Sequence, residues 1–264
     1  MANFTAKDVQ RLRQMTGAGM LDSKKALEET DGNIDEAAHA LRLKGLAGAA
    51  KREDREAAEG AVTAVRSGDF ASVVELRCET DFVAKSDEFV AMADELGALV
   101  AAKGEDAVSE LADAIDGLRT TLKENISVGR VSQLVATSGQ VVDTYVHQQA
   151  GRGVNAVAVI VEGGSEELAH NIAVHIAFTK PAYLNRDEVP QADIEAERVT
   201  VAEISRNEGK PDAALEKIVD GRMNGWFKER VLMDQSYVKD EKQTIAGMLG
   251  SAHIVAFAQV VVGG

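Results

Sequence analysis

His170 and His175 lie on a stretch whose apolar residues recur at helical spacing, so the first chemistry to test is metal binding. They stand five residues apart, which at about 100° per residue leaves their directions roughly 140° apart, unlike an i, i+4 chelating pair. His39, His147 and His253 are isolated, and the lone Cys78 excludes both an intramolecular disulfide and a cysteine-rich zinc site. No Gly-x-x-x-x-Gly-Lys-[Ser/Thr] loop is present, and Gly17-Ala18-Gly19 lacks the third glycine and the preceding strand of a dinucleotide fingerprint. A hydrolase or transferase built on Glu79 or Asp81 would need a nucleophile and a base clustered beside it, and the sequence offers neither. What stands out instead is Phe82, in Glu79-Thr80-Asp81-Phe82-Val83-Ala84-Lys85. The β-branched run Ser72 to Cys78 reads as a strand, and Phe89, Val90, Met92, Ala93, Leu96 and Val100 repeat as a helix face, so Phe82 falls in the connection. An aromatic there is either tucked under the next helix, with Thr80 or Asp81 capping it, or presented to a partner.

The chain must position that connection, and its composition limits how. At 264 residues it exceeds one typical domain, and 45% apolar content makes it a folded protein. Charge is 29 basic against 43 acidic residues, a net of −14. Residues 1–50 carry seven of each sign, so the acidic excess lies in residues 51–264. An acidic body disfavours phosphate backbones and anionic membranes, and 4% aromatic content argues against a base-stacking surface. The expected partner is therefore a protein, with no direct nucleic-acid or membrane contact. The N-terminal segment lacks the pattern of a secretion signal, and no apolar run approaches the roughly 18 residues of a membrane span, so the expected compartment is cytoplasmic.

Thr5 with Asp8 looks like a capping box, after which Val9, Leu12 and Met15 form one stripe. Asp22 is placed to cap a second helix through Leu27, and Asp31-Gly32-Asn33 breaks it before Ile34, Ala37, Ala38 and Leu41 mark a third. This gives a three-helix bundle over 1–50 and an Ala/Gly-rich, charged linker over 51–60. A hairpin about Ser67-Gly68-Asp69 then opens a body over 61–150, with helices from Ser86 to Ala102 and Asp106 to Lys123. Strands Val128 to Ala136 and Val141 to Gln148 flank Ser138-Gly139. A second part, 151–264, repeats strand then helix: Val154 to Val161, then Glu166 to Phe178. Within it, Gln191 to Glu208 and Asp212 to Gly225 read as a helical hairpin about Gly209-Lys210-Pro211, paired through Ile194, Val201 and Ile204 against Leu215, Ile218 and Val219. A helix near Gln243 to Leu249 and a strand His253 to Val262 close the chain. The expected class is α+β, with small antiparallel sheets in a two-part core.

Six segments occur in an order that resembles the bacterial elongation factor Ts family: Thr16-Gly-Ala-Gly-Met-Leu-Asp-Ser-Lys-Lys-Ala-Leu27, Thr80-Asp-Phe-Val-Ala-Lys85, Glu124-Asn-Ile126, His170-Asn-Ile-Ala-Val-His175, Thr179-Lys-Pro181 and Gly209-Lys-Pro211. The first two are specific; the tripeptides add only order. The resemblance covers nearly the whole chain. It implies a ubiquitin-associated type of N-terminal bundle and nucleotide exchange on the GTPase elongation factor Tu, with no cofactor and no chemical turnover. On the matching positions, Phe82 would wedge near the GTPase Mg²⁺, Asp81 would fix the approach, and Thr80 and Val83 would shape the loop. Arg13, Met20 and Leu21 would face the nucleotide domain, and His175 a distal one. From the residues alone, Met20 and Leu21 are also readable as a helix staple and His175 as a satisfied helix histidine. Ser23 and Ser127-Val-Gly-Arg130 depart from common family residues without touching the wedge. The sequence runs out soon after Val262, where some members carry a longer module, which leaves a homodimer and a 2:2 complex both open. An adaptor that binds helices without exchange is the alternative; its binding would ignore GDP.

Overall fold

The computed structural model describes residues 3–264, so the first two residues of the expected 1–50 unit and of the N-terminal segment read for a signal lie outside the described residues. Thr5 starts helix α1 (Ala6–Thr16) as expected: its hydroxyl accepts the Asp8 N–H, while the Asp8 carboxylate accepts the Thr5 N–H at 2.7 Å. Gly17, at φ 65°, ends α1 in the left-handed region that its missing Cβ permits. Helices α2 (Met20–Glu29) and α3 (Ile34–Ala50) follow, and Asn33 caps α3 by accepting the Asp35 and Glu36 N–H groups. Val9, Leu12, Ala26, Leu27, Ala37 and Leu41 form the bundle core.

Two local expectations fail here. Met15 leaves the buried stripe and is 54% exposed. Asp22 lies inside α2 rather than capping it, because its carboxylate turns to Lys44 of α3, 2.7 Å away, and Gly19 takes the N-cap.

Strands β1 (Glu59–Ser67), β2 (Phe70–Cys78) and β3 (Ser127–Val135) make one antiparallel sheet in the order 1-2-3. Strands β4 (Gln140–Gln149), β5 (Arg152–Glu162) and β8 (His253–Val261) make the second, in the order 4-5-8. The alternation of β5 shows how they stack. Ala156, Ala158 and Ile160 join Val62, Val73 and Val260 between the sheets, whereas Val157, Val159 and Val161 face outward onto helix α7 (Glu166–Thr179). On the outer face of the first sheet, Val74, Leu76 and Cys78 pack against Phe89, Leu96 and Val100 of helix α5 (Asp87–Lys103). The layers therefore run helix, sheet, sheet, helix, and the chain is α+β. β3 and β4 do not pair with each other across Ser138-Gly139; Ala136 and Val142 both plunge between the sheets, so the turn passes the chain from one sheet to the other.

The expected helix from Asp106 to Lys123 is split into a 3-10 segment, Glu105–Leu111, and helix α6 (Ala112–Leu122). The Glu105 carboxylate accepts the Gln133 N–H of β3 at 2.9 Å, which ties the tighter segment to the sheet edge. Helices α8 (Gln191–Asn207) and α9 (Asp212–Arg230) form the hairpin, and α9 runs past Gly225 because Met223 and Phe227 continue its apolar face. Ile194, Val201, Leu215 and Val219 share that seam; Ile204 and Ile218 lie outside it. A short ribbon, β6 (Ser236–Tyr237) with β7 (Asp240–Thr244), precedes helix α10 (Ile245–Leu249), so the last helix begins later than its apolar residues suggested.

Candidate partner-binding site

β2 ends at Cys78, and two residues later the chain makes one helical turn, α4 (Asp81–Ala84), before α5. Thr80 caps this turn by accepting the Val83 N–H at 3.4 Å. Its own hydroxyl donates to the Glu124 carboxylate at 2.5 Å, and the same carboxylate accepts the N–H groups of Glu79 and Thr80 at 3.0 and 3.1 Å. The Cys78 thiol donates to the Thr80 carbonyl at 3.3 Å, and the Ser86 hydroxyl to the Val83 carbonyl at 2.8 Å. Ala84 is buried, and Val83 packs half-buried on the core under α5. Val83 and Ala84 anchor the turn to the core, and Asp81 is paired to Lys85 at its surface. Phe82 is 83% exposed, so it is presented rather than tucked under the helix.

The charges of the turn are equally settled. The Lys85 ammonium, 2.6 Å from Asp81, holds that carboxyl below the usual carboxylate range, so Asp81 is ionised beside Phe82. Burial raises the Cys78 thiol to about 12, which keeps it an inert hydrogen-bond donor.

In the bundle, Arg13, Met20 and Leu21 all lie at the surface, around the turn between α1 and α2. Leu21 is 85% exposed and staples nothing; Met15 adds an exposed side chain to the same end, a neighbour that the stripe reading assigned to the core. His175 sits elsewhere. Its ring is fully buried on α7, with Nε2 2.9 Å from Gln235 Oε1 and Nδ1 accepting the Val238 N–H at 3.3 Å, which fixes the proton on Nε2. It offers no surface to a partner, because the α7 face it shares with Ile172 and Ile176 is the core face. The exposed aromatic of α7 is Phe178, at 73%, which the motif around it did not single out. Helical spacing from the buried Ile172 and Ile176 would have separated the two. His170 points away from His175 and pairs with Asp143 at 2.9 Å. Among the described residues no three His, Cys, Asp or Glu side chains come together as a metal site, and no helix is long and apolar enough to cross a membrane.

A sequence model described as Elongation factor TS matches residues 79–264, from the start of the Phe82 turn onward. Across the full length of both chains, the sequence is 46% identical over 277 aligned residues to Elongation factor Ts of Clavibacter michiganensis subsp. michiganensis. It is 44% identical over 280 to that of Renibacterium salmoninarum and 45% over 280 to that of Streptomyces griseus subsp. griseus, again end to end. The chain belongs to the elongation factor Ts family. Membership places it among the factors of translation elongation. It also gives the architecture its context, since the matches to these elongation factor Ts chains span the bundle as well as the sheets.

Proposed function

We propose that this protein is a guanine-nucleotide exchange factor that binds elongation factor Tu in its GDP form and inserts Phe82 near the bound Mg²⁺. The observation that carries the reading is the contrast within one turn: a Phe that is 83% exposed, on a backbone held by Glu124, Cys78 and Ser86. A GTPase holds GDP through phosphate-loop amides and a metal bridging phosphate to protein oxygens. Displacing the metal or the helix that supports it removes much of that affinity. Phe82 supplies the displacement, ionised Asp81 guides the approach, and Thr80 and Val83 set the shape of the turn. Linkage makes the effect reciprocal: a factor that weakens GDP binding is itself released when nucleotide returns.

The bundle, residues 1–50, gives a second contact through Arg13, Met20 and Leu21, and the segment after it leads into β1 of the two-sheet body. Two joined contacts gain through effective concentration. His175 serves from inside, holding the 235–238 segment against α7, and the factor performs no chemical turnover of its own. The test is release of a fluorescent GDP analogue from elongation factor Tu. Concentration-dependent acceleration supports exchange; an unchanged release rate rejects it.

A further inference from the structure

Glu124-Asn125-Ile126 is a matched segment in which only Glu124 has so far been given a part, the hydrogen bonds it accepts from the turn. α6 ends at Leu122, and Lys123, at φ 61°, turns the chain back so that Glu124 and Asn125 meet two other parts of the protein. On one side is the wedge turn. Glu124 accepts three hydrogen bonds from Glu79 and Thr80, and the Glu79 carboxylate returns one, accepting the Asn125 N–H at 2.7 Å. On the other side is the segment leading from the bundle. The buried Asn125 amide donates to the carbonyls of Glu53 and Arg55 at 3.0 and 2.7 Å, and Arg55 pairs with Glu79 at 3.4 Å. Nearby, the Arg119 Nε–H donates to the Ile126 carbonyl at 2.5 Å, and Arg52 donates to the Arg119 carbonyl at 2.9 Å. The segment read as a linker is thus stitched to Asn125 and Glu79, both of which adjoin the Glu124 contacts that hold the wedge turn.

We propose that Glu124 and Asn125 are positioning residues for exchange: Glu124 aims Phe82, and Asn125 sets the bundle at a fixed place relative to it. The proposal rests on the reading of Phe82 as the wedge. Its physical content is preorganisation, because a turn ordered before binding does not lose conformational freedom on binding. The two residues affect different quantities. Glu124 governs what Phe82 does once the complex has formed, and Asn125 governs how readily two contacts are made together.

The experiment is nucleotide release from elongation factor Tu against factor concentration, giving a saturating rate and a half-saturating concentration for wild type, Glu124→Ala, Glu124→Gln and Asn125→Ala. Alongside it, amide exchange at Val83 and Ala84 reports the order of the turn without reference to activity. Glu124→Ala lowers the saturating rate by about tenfold or more, the scale of lost hydrogen bonds to a charged group, and speeds exchange at both amides. Glu124→Gln recovers a large part of both, since its carbonyl still accepts the two N–H groups and its amide donates to the Thr80 hydroxyl oxygen, with only the charge and the acceptor for the Thr80 O–H lost. Asn125→Ala raises the half-saturating concentration and leaves the saturating rate. If Glu124→Ala fails to fold, Glu124→Asp, one methylene short of Thr80, is expected to show the same loss. Equal behaviour of Glu124→Ala and wild type, or of Glu124→Ala and Glu124→Gln, overturns the proposal while leaving the exchange reading intact. A wild type that does not accelerate release overturns the exchange reading, and the proposal with it.

Discussion

Replacing Phe82 with Ala separates the proposed function from stability, because the ring is already exposed in the free chain. With 83% of the side chain already in water, the folded state loses almost no burial. Its stability should change by no more than about 0.5 kcal/mol, the scale of surface substitutions. Bound to a partner, the same ring would go from water into a protein interior, a transfer worth about 1.5–3 kcal/mol. At about 1.4 kcal/mol per factor of ten, that is a loss of roughly ten- to a hundredfold in the stimulated rate of nucleotide release. The assay is stopped-flow release of a fluorescent GDP analogue from elongation factor Tu, with thermal unfolding measured on the same preparations. An unchanged rate would refute the wedge, and so would a large fall in melting temperature, since that would return Phe82 to the core.

Three further outcomes follow from buried residues, and one from two surface carboxylates. Burial keeps the His175 imidazole below its ordinary value of 6.5, against the opposing Gln235 hydrogen bond, so the unfolded chain binds a proton there before the folded one does. Stability is therefore full above about 6.5 and falls as pH drops from there to the depressed folded value; urea unfolding between pH 7 and 5 should show the fall, and His175→Asn should flatten it. Asp8 and Asp22, whose carboxyls are held low by hydrogen bonds from Thr5 and Lys44, add losses only at more acid pH. Cys78, buried with its thiol raised to about 12, should react with a thiol reagent at neutral pH only as fast as the protein opens. Gly153→Ala would drive a methyl group into the Val62 carbonyl oxygen on the facing sheet. A cost of about 1–3 kcal/mol is expected, read as a lower melting temperature with the Phe82 turn and its amide protection unchanged.

Much of this arrangement could be read from local pattern, and the failures share a cause. The Thr5 capping box, the turn about Gly68 and the strand-to-helix connection holding Phe82 each depend on residues a few positions apart. Asp22 did not cap α2, because Lys44 reaches it from another helix. Ser138-Gly139 is flanked by two strands as its pattern suggests, but local pattern does not tell that they belong to different sheets, which follows from the apolar residues on either side filling one inter-sheet core. The exposure of Phe82 was undecidable from the sequence for the same reason: whether α5 covers it depends on how Val83 and Ala84 pack against Phe89. His175 was partly legible, as its place on the Ile172–Ile176 face marks it for burial, whereas its bond to Gln235 spans sixty residues.

The same distinction bears on what a wedge requires. An exposed ring on a mobile turn would be pushed aside by the helix it meets, and its burial would displace nothing. Force can be returned only if the backbone beneath the ring cannot yield. Here the bonds from Cys78, Thr80 and Ser86 shape the turn locally, but what fixes it to the body is non-local: Glu124 lies beyond α5 and α6, and Ala84 and Val83 rest on a core that includes both β2 and α5. Residues 80–85 therefore carry the ring and its charge, but the stiffness that would let Phe82 act comes from the layered body. A peptide of residues 79–89 should consequently leave GDP release from elongation factor Tu unchanged at concentrations where the full chain saturates it.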